Sequence, residues 1–362
     1  MKTEVVSALG FGLESGGSEP GDRNPGGTSA QVAAELPKAC AKAVDLLRAG
    51  EVVALPTETV YGLAADALHP IAVAKIFEAK KRPRFDPLIV HLPGREALDR
   101  IAVVESAVAG QLMEKFWPGP LTIVLKKKAV VPAIVTAGLD TVAVRMSAHP
   151  VFRRIVGALD RPLAAPSANR FGRISPTTAQ HVVNELSGWI PLIIDAGPTQ
   201  HGIESTIVRI EHEVIEVLRR GPITGEMLRP FAEVRECTPT DTVIAPGQLH
   251  THYAPNTRLI IINNFSDFVA MPRKRVGALC FRSVGEVADS GPRPATTTAH
   301  FAAVRYLSER GDLREAAANL FKMLRELDAE NLQLIVAERV PDEGVGLAIN
   351  DRLERASDRG SD

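Results

Sequence analysis

Cysteine is scarce in this chain: Cys40, Cys237 and Cys280 stand far apart, and no Cys-x-x-Cys pair occurs. A disulfide scaffold and a zinc ribbon are therefore not expected, and a reducing, cytoplasmic compartment fits. An excess of one charge is also missing, because 42 basic side chains are balanced by 43 acidic ones. A chain that binds nucleic acid mainly through a strong positive field is not expected from that balance. No apolar run approaches the ~20 residues of a membrane-spanning helix, so no membrane partner is expected. Lys2 has no apolar core after it before Gly10, which argues against a secretory signal. Several catalytic motifs are missing too. The chain has no Gly-x-x-x-x-Gly-Lys-Ser/Thr loop, no His-Glu-x-x-His and no serine nucleophile elbow. His250 and His252 alone are a weak metal signal. Neither a covalent nucleophile nor a protein-held metal is expected.

What is present points to two α/β domains, for which 362 residues suffice. Residues 10–28 are rich in Gly, Ser and Pro and poor in large apolar groups. Such a composition cannot bury enough surface to offset ordering entropy, so 1–36 is read as a disordered leader. Helical apolar spacing covers 39–47, 71–79, 107–116, 150–159 and 177–186. Short apolar runs at 52–55, 88–91, 121–125, 142–145, 163–165 and 192–195 read as strands, and 206–210 with 214–218 as a hairpin. The order is not a clean βαβ repeat, so a twisted, mixed sheet is expected over 37–237. Residues 238–256 read as a linker, although His250, His252 and Tyr253 are more than a spacer needs. A smaller Rossmann-like α/β domain follows at 257–357, with strands at 259–262, 276–280 and 334–337, helices at 298–308 and 313–327, and a tail at 358–362. It lacks Gly-x-Gly-x-x-Gly, so no dinucleotide is assigned to it.

Polar clusters sit at the ends of these strands. Pro56-Thr57-Glu58-Thr59-Val60-Tyr61-Gly62 follows the run at 52–55. It is either a well-capped turn or a ligand loop. Lys80, Lys81, Arg82 and Arg84 fall within five positions at a helix end, with Pro83 and Pro87 stiffening the loop. They form either a solvated helix terminus or a phosphate clamp. Ala165-Pro166-Ser167-Ala168-Asn169 leads to Ser175-Pro176, where Ser175 is expected as a helix N-cap beside an anion site. Gly202-Ile203-Glu204-Ser205-Thr206 precedes a strand, Arg219-Arg220-Gly221 ends the next, and Arg145 ends another. A charge there is costly unless it is paired or meets a ligand.

Taken together, residues 56–62, Lys80 to Pro83, Pro87 to His91, Trp117 to Thr122, Val142 to Arg145, Ala165 to Asn169 and Glu204 to Val208 resemble the YrdC-like family. More narrowly, the chain from about residue 38 resembles the two-domain threonylcarbamoyl-AMP synthases. His252 to Pro255 is similar to their linker, and Asp351-Arg352-Leu353 to the end of their second domain. The resemblance implies an α/β fold: a twisted mixed-sheet YrdC-like catalytic domain followed by the smaller Rossmann-like domain. It implies adenylyl transfer from ATP, carried with Mg2+, to the carboxylate made from L-threonine and bicarbonate or CO2. The product would pass to tRNA threonylcarbamoyl transferase machinery. By the same resemblance Thr57, His91, Arg145, the Ala165 backbone and Ser205 would hold L-threonine. Lys80, Arg82, Thr141, Ser167, Asn169, Ser175, Arg219 and Tyr253 would hold ATP, with Tyr253 closing over the site. Asp86 stands where many members have Asn and is expected to pair with Lys80 or Arg84. Gln248-Leu249 also departs from the family's linker. Two other readings stay open: a carbamoyl transferase with another acceptor, and a double-stranded-RNA module, or a weak RNA contact, through residues 80–84.

Overall fold

A computed structural model describes residues 1–9, 37–237, 244–247, 252–263, 265, 275–282 and 301–358. Most of the expected leader (10–36), the linker stretches holding Gln248, Leu249 and His250, and 359–362 lie outside the described residues.

The first domain is built on one large sheet. Its strands are β1 (Glu4–Ser7), β2 (Val53–Leu55), β3 (Gly62–Asp66), β4 (Ile89–His91), β5 (Ala102–Val103), β6 (Leu121–Lys127), β7 (Thr141–Arg145), β8 (Leu163–Ala164), β9 (Leu192–Asp195), β10 (Thr206–Glu211), β11 (Val214–Arg219) and β12 (Val234–Glu236). They lie in the order β1-β9-β2-β3-β8-β4-β7-β6-β10-β11-β12, with β5 beside β6. Parallel pairs such as β4·β7 and antiparallel pairs such as β6·β7 mix, as the broken βαβ order implies. The longer helices α1 (Lys38–Arg48) and α4 (Pro150–Leu159) cover one face of the sheet. The helices α2 (Pro70–Lys80), α3 (Ala107–Phe116) and α5 (Ala179–Leu186) cover the other. Both faces are thus dry, which is why these strands read as continuous apolar runs. Local signals set the helix ends. The His69 ring accepts from the Ala72 N–H at 3.2 Å and caps α2, with Pro70 in the first turn; Lys81, in left-handed backbone, stops it.

The second domain has a parallel sheet, β13 (Arg258–Ile262), β14 (Val276–Arg282), β15 (Ala303–Ser308) and β16 (Leu334–Glu338), in the order β13-β16-β14-β15. Helices α6 (Leu313–Asp328) and α7 (Gly346–Ser357) pack on it. Their apolar cluster also takes in Val60, Ile174, Ile203 and Tyr253 from the first domain and linker.

Three local expectations change. Residues 4–7, assigned to the leader, form β1 and pair with β9, covering backbone groups of what would be an open sheet edge. Residues 303–308, expected as helix, form β15. Ala303 packs with the α6 side of the sheet, while Val304 and Tyr306 pack with Cys280 on the other. Alternation between two covered faces wins over the helical count. Ser175 is not a helix cap: Thr178 caps α5, accepting from the His181 N–H at 3.2 Å.

Candidate active site

The C-terminal ends of β2, β4, β7, β8 and β11 converge on one cleft with about 560 Å3 of free space, part of it open to solvent. Open α/β sheets place ligands at such strand ends. The turn after β2 is held by Thr57. Its Oγ1 donates to Val60 O at 2.6 Å and accepts from the N–H groups of Thr59 (3.1 Å) and Val60 (3.2 Å). Thr57 therefore caps its own turn and also lines the cleft.

The next residue carries the strongest electrostatics. Glu58 is buried, with Oε1 2.7 Å from Arg145 Nη2 and Oε2 accepting from the Ser147 hydroxyl at 2.5 Å. Burial pushes its carboxyl up, but Arg145 and Ser147 outweigh burial and hold it at about 2. Arg145 also donates from Nε to Gly119 O at 3.3 Å; its Nη1 has no hydrogen-bond partner among the described residues. His91 pairs with Arg145 across β4 and β7. Burial, reinforced by Arg145, pushes its ring down to about 3, so the imidazole is neutral; its Nδ1 has no partner.

Three strands along the same sheet from β7, Arg219 donates to Ser205 O and Ser205 Oγ, both at 3.0 Å, and to Pro246 O at 3.3 Å. Burial lowers it to about 10, which leaves it a cation at neutral pH. The linker closes this side. Tyr253 is buried, stacks on Phe321 at 5.4 Å, and has the Arg352 guanidinium 5.3 Å from its ring centroid. His252 sits edge-on between Phe171 (6.0 Å) and Tyr253 (4.1 Å). No group of three His, Cys, Asp or Glu able to hold a metal occurs among the described residues.

Comparison with known proteins places this architecture. Residues 45–221 match the family described as Telomere recombination, and 213–358 match Threonylcarbamoyl-AMP synthase, C-terminal domain. The threonylcarbamoyl-AMP synthase of Pyrococcus abyssi is 41% identical over 326 residues, covering 87% of this chain and 93% of that protein. This chain belongs to the threonylcarbamoyl-AMP synthase family. The family's Bacillus subtilis member is 40% identical over 331 residues, covering 88% of this chain and 92% of its own. The crystal structure of P. abyssi Sua5 complexed with L-threonine superposes with a TM-score of 0.78 at 35% identity, over 98% of both chains.

Among the residues expected from the family resemblance, Thr57, Arg82, His91, Arg145, Ala165, Ser167, Arg219 and Tyr253 line the cleft. Ser205 stands just behind Arg219, with its Oγ 2.8 Å from that of Thr122. Lys80 lies beneath the cleft wall. Its Nζ donates to the carbonyls of Ser167 (2.5 Å) and Asn169 (2.6 Å), so it braces that loop. Burial, with Arg82 adding, pushes its ammonium well below the usual lysine range. Asn169 turns its amide to the carbonyls of Arg170 and Arg173, both at 2.8 Å. Ser175 donates to Glu204 Oε1 at 2.5 Å. Thr141 begins β7 while Arg145 ends it. Four steps at ~3.3 Å put it about 13 Å along the strand from Arg145, outside the cleft lining.

Asp86 pairs with Arg82, 2.8 Å away, and not with Lys80 or Arg84. The contact is an ion pair without hydrogen-bond alignment. Arg82 Nε and Nη2 go instead to the carbonyls of Asp86 (3.2 Å) and Pro87 (2.9 Å). Sequence reasoning did not place Glu58, Glu204, His252 or Arg352 in the site. Glu58 lies in the 56–62 loop and Glu204 in the 202–206 segment, but their partners come from distant segments. Arg352 meets Glu204 across 148 positions, a pairing that leaves no local pattern.

Proposed function

We propose that this protein condenses L-threonine, bicarbonate or CO2, and ATP to L-threonylcarbamoyladenylate and pyrophosphate. One observation carries the reading: buried Arg145 and Arg219 line one cleft, in a family member spanning over nine-tenths of the Pyrococcus abyssi and Bacillus subtilis relatives. The threonine amine adds to CO2 and loses a proton, giving a carbamate. A carbamate oxygen then bonds to the α-phosphorus of ATP, and the bond to the bridging oxygen breaks to release pyrophosphate. Such a transfer needs charge and placement more than a reactive side chain.

Arg145, pinned by Glu58 and with Nη1 uncommitted, suits the threonine carboxylate. Neutral His91 and the Ala165 backbone border the same end. Arg219 and Arg82 suit the nucleotide phosphates, while Lys80, Asn169 and Ser175 support the walls. Ser205 orients Arg219. Thr141 has no role in this reading. Mg2+ would arrive with ATP and stay largely hydrated on the phosphates. Tyr253 over the cleft would keep water from the mixed anhydride. A cytoplasmic location and delivery to a tRNA threonylcarbamoyl transferase complete the reading; no described helix is long and apolar enough to cross a membrane.

An RNA-binding role is disfavoured because the basic cluster splits: Lys80 and Arg82 are buried, leaving Lys81 and Arg84 exposed. The deciding experiment follows pyrophosphate with threonine, bicarbonate and MgATP present together. Release should stop when threonine is omitted. Release that is absent, or indifferent to threonine, overturns the reading.

A further inference from the structure

Arg352 brings the second domain to the cleft. It is 0% exposed, although it sits on α7, outside the large sheet. Its Nε donates to Glu204 Oε2 at 3.1 Å, and its Nη2 to Arg220 O at 2.8 Å. Its Nη1 meets Asp351 Oδ2 at 2.8 Å, and the guanidinium lies 5.3 Å from the Tyr253 ring centroid. Outside its own helix, these partners belong to three segments. Glu204 precedes β10, Arg220 follows β11, and Tyr253 is in the linker. Glu204 and Tyr253 line the cleft, and Arg220 adjoins Arg219, which also does.

A buried guanidinium is costly unless its donors are placed, and removing one partner strands the other charge. Joining the domains does not by itself account for that cost here. Arg325 on α6 already bridges them, 3.1 Å from Glu185 of α5. Gly202 lies so close to α6 that a Cβ there would come within 2.5 Å of Ala317 O. Arg352 instead gathers groups that border the nucleotide side, and its fork is suited to several fixed acceptors at once.

We infer that Arg352 is a positioning residue for the reaction: it holds Glu204, the Arg219–Arg220 backbone and Tyr253 in one arrangement, so that the second domain completes the nucleotide wall of the cleft. The inference rests on the proposed synthase reading, because it concerns the use of ATP. Threonine contacts at Thr57 and Arg145 do not touch Arg352, so the two substrates should respond differently.

The test compares the full-length parent with Arg352→Lys and with the double variant Arg352→Met, Glu204→Gln. The double variant removes both charges together, so no unpaired carboxylate remains buried. Arg352→Lys keeps a cation but loses the fork and serves as the second arm should the double variant not fold. In either variant the KM for ATP should rise about tenfold or more, the scale of one lost charge-assisted contact, while the KM for threonine moves less than about threefold. Hydrogen exchange gives a readout that needs no turnover. The His252 N–H donates to Arg355 O (3.2 Å) and the Ala254 N–H to Gly172 O (2.9 Å), and both should exchange faster once the tie is cut. That measurement separates failure of this tie from failure of the synthase reading. A folded variant with a parental KM for ATP, an equal rise in both KM values, or parental exchange at both amides overturns the inference.

Discussion

At the scale of single residues, Arg145 shows how a strand-end charge is made tolerable and useful. Glu58 neutralises part of it inside the protein, while its Nη1 keeps binding capacity. Arg145→Ala should therefore lower kcat/KM for threonine by roughly 30-fold or more, since truncating one member of a buried charge pair costs about 2–5 kcal/mol. The exposed Lys322→Ala should change it little; equal losses in pyrophosphate assays would reject the carboxylate role. Acid sensitivity belongs to the same scale. Burial pushes His91 down to about 3 and His181 to about 4, and holds His252 well below the usual range. The unfolded chain binds these protons near pH 6.5 and the folded protein does not, so their contribution is complete above pH 6.5 and is lost as pH falls toward 3. Thermal melts should show Tm dropping between about pH 6.5 and 4, and His91→Gln should flatten that slope. An unchanged slope would remove His91 from the explanation.

At the scale of elements, the strand-end loops were legible because strand, turn and helix chemistry are local. The turn at 56–62 is both of the things its composition allowed, a self-capped turn and a cleft wall, since Thr57 closes it while Glu58 reaches β7. The basic cluster was less legible. Lys80 and Arg84 look alike in sequence, but the last turn of α2 buries one and the loop exposes the other. β15 was misread because a strand with two covered faces carries no polar–apolar alternation to mark it. Gly202 offers an element-level test. Its φ of 69° and the crowding of α6, with Ala318 O 2.4 Å from an added Cβ, leave no room for a side chain. Gly202→Ala should cost about 1–3 kcal/mol, read by denaturant unfolding, and a parental midpoint would contradict that packing.

At the scale of the whole molecule, the two domains share a core. Val60, Ile174 and Ile203 pack in the same cluster as Leu320 and Phe321, and Arg325 binds Glu185 across the same junction. Calorimetry should therefore give one cooperative endotherm, moved to higher temperature by threonine with MgATP through mass action. Two separated transitions would show that the domains unfold independently and that the shared cluster contributes little.

Motif order along the chain was enough to locate the strand ends, the polar loops beside them and the division into a large and a small α/β domain. These features follow from periodicity and turn chemistry within short windows. Which cations face the cleft was settled elsewhere. Lys80 became a brace because the 167–169 loop packs over it, Thr141 was carried away by the length of β7, and Arg352 entered through a helix 148 positions from Glu204. Burial and pairing depend on segments brought together by the core, and no local pattern records which distant partner arrives.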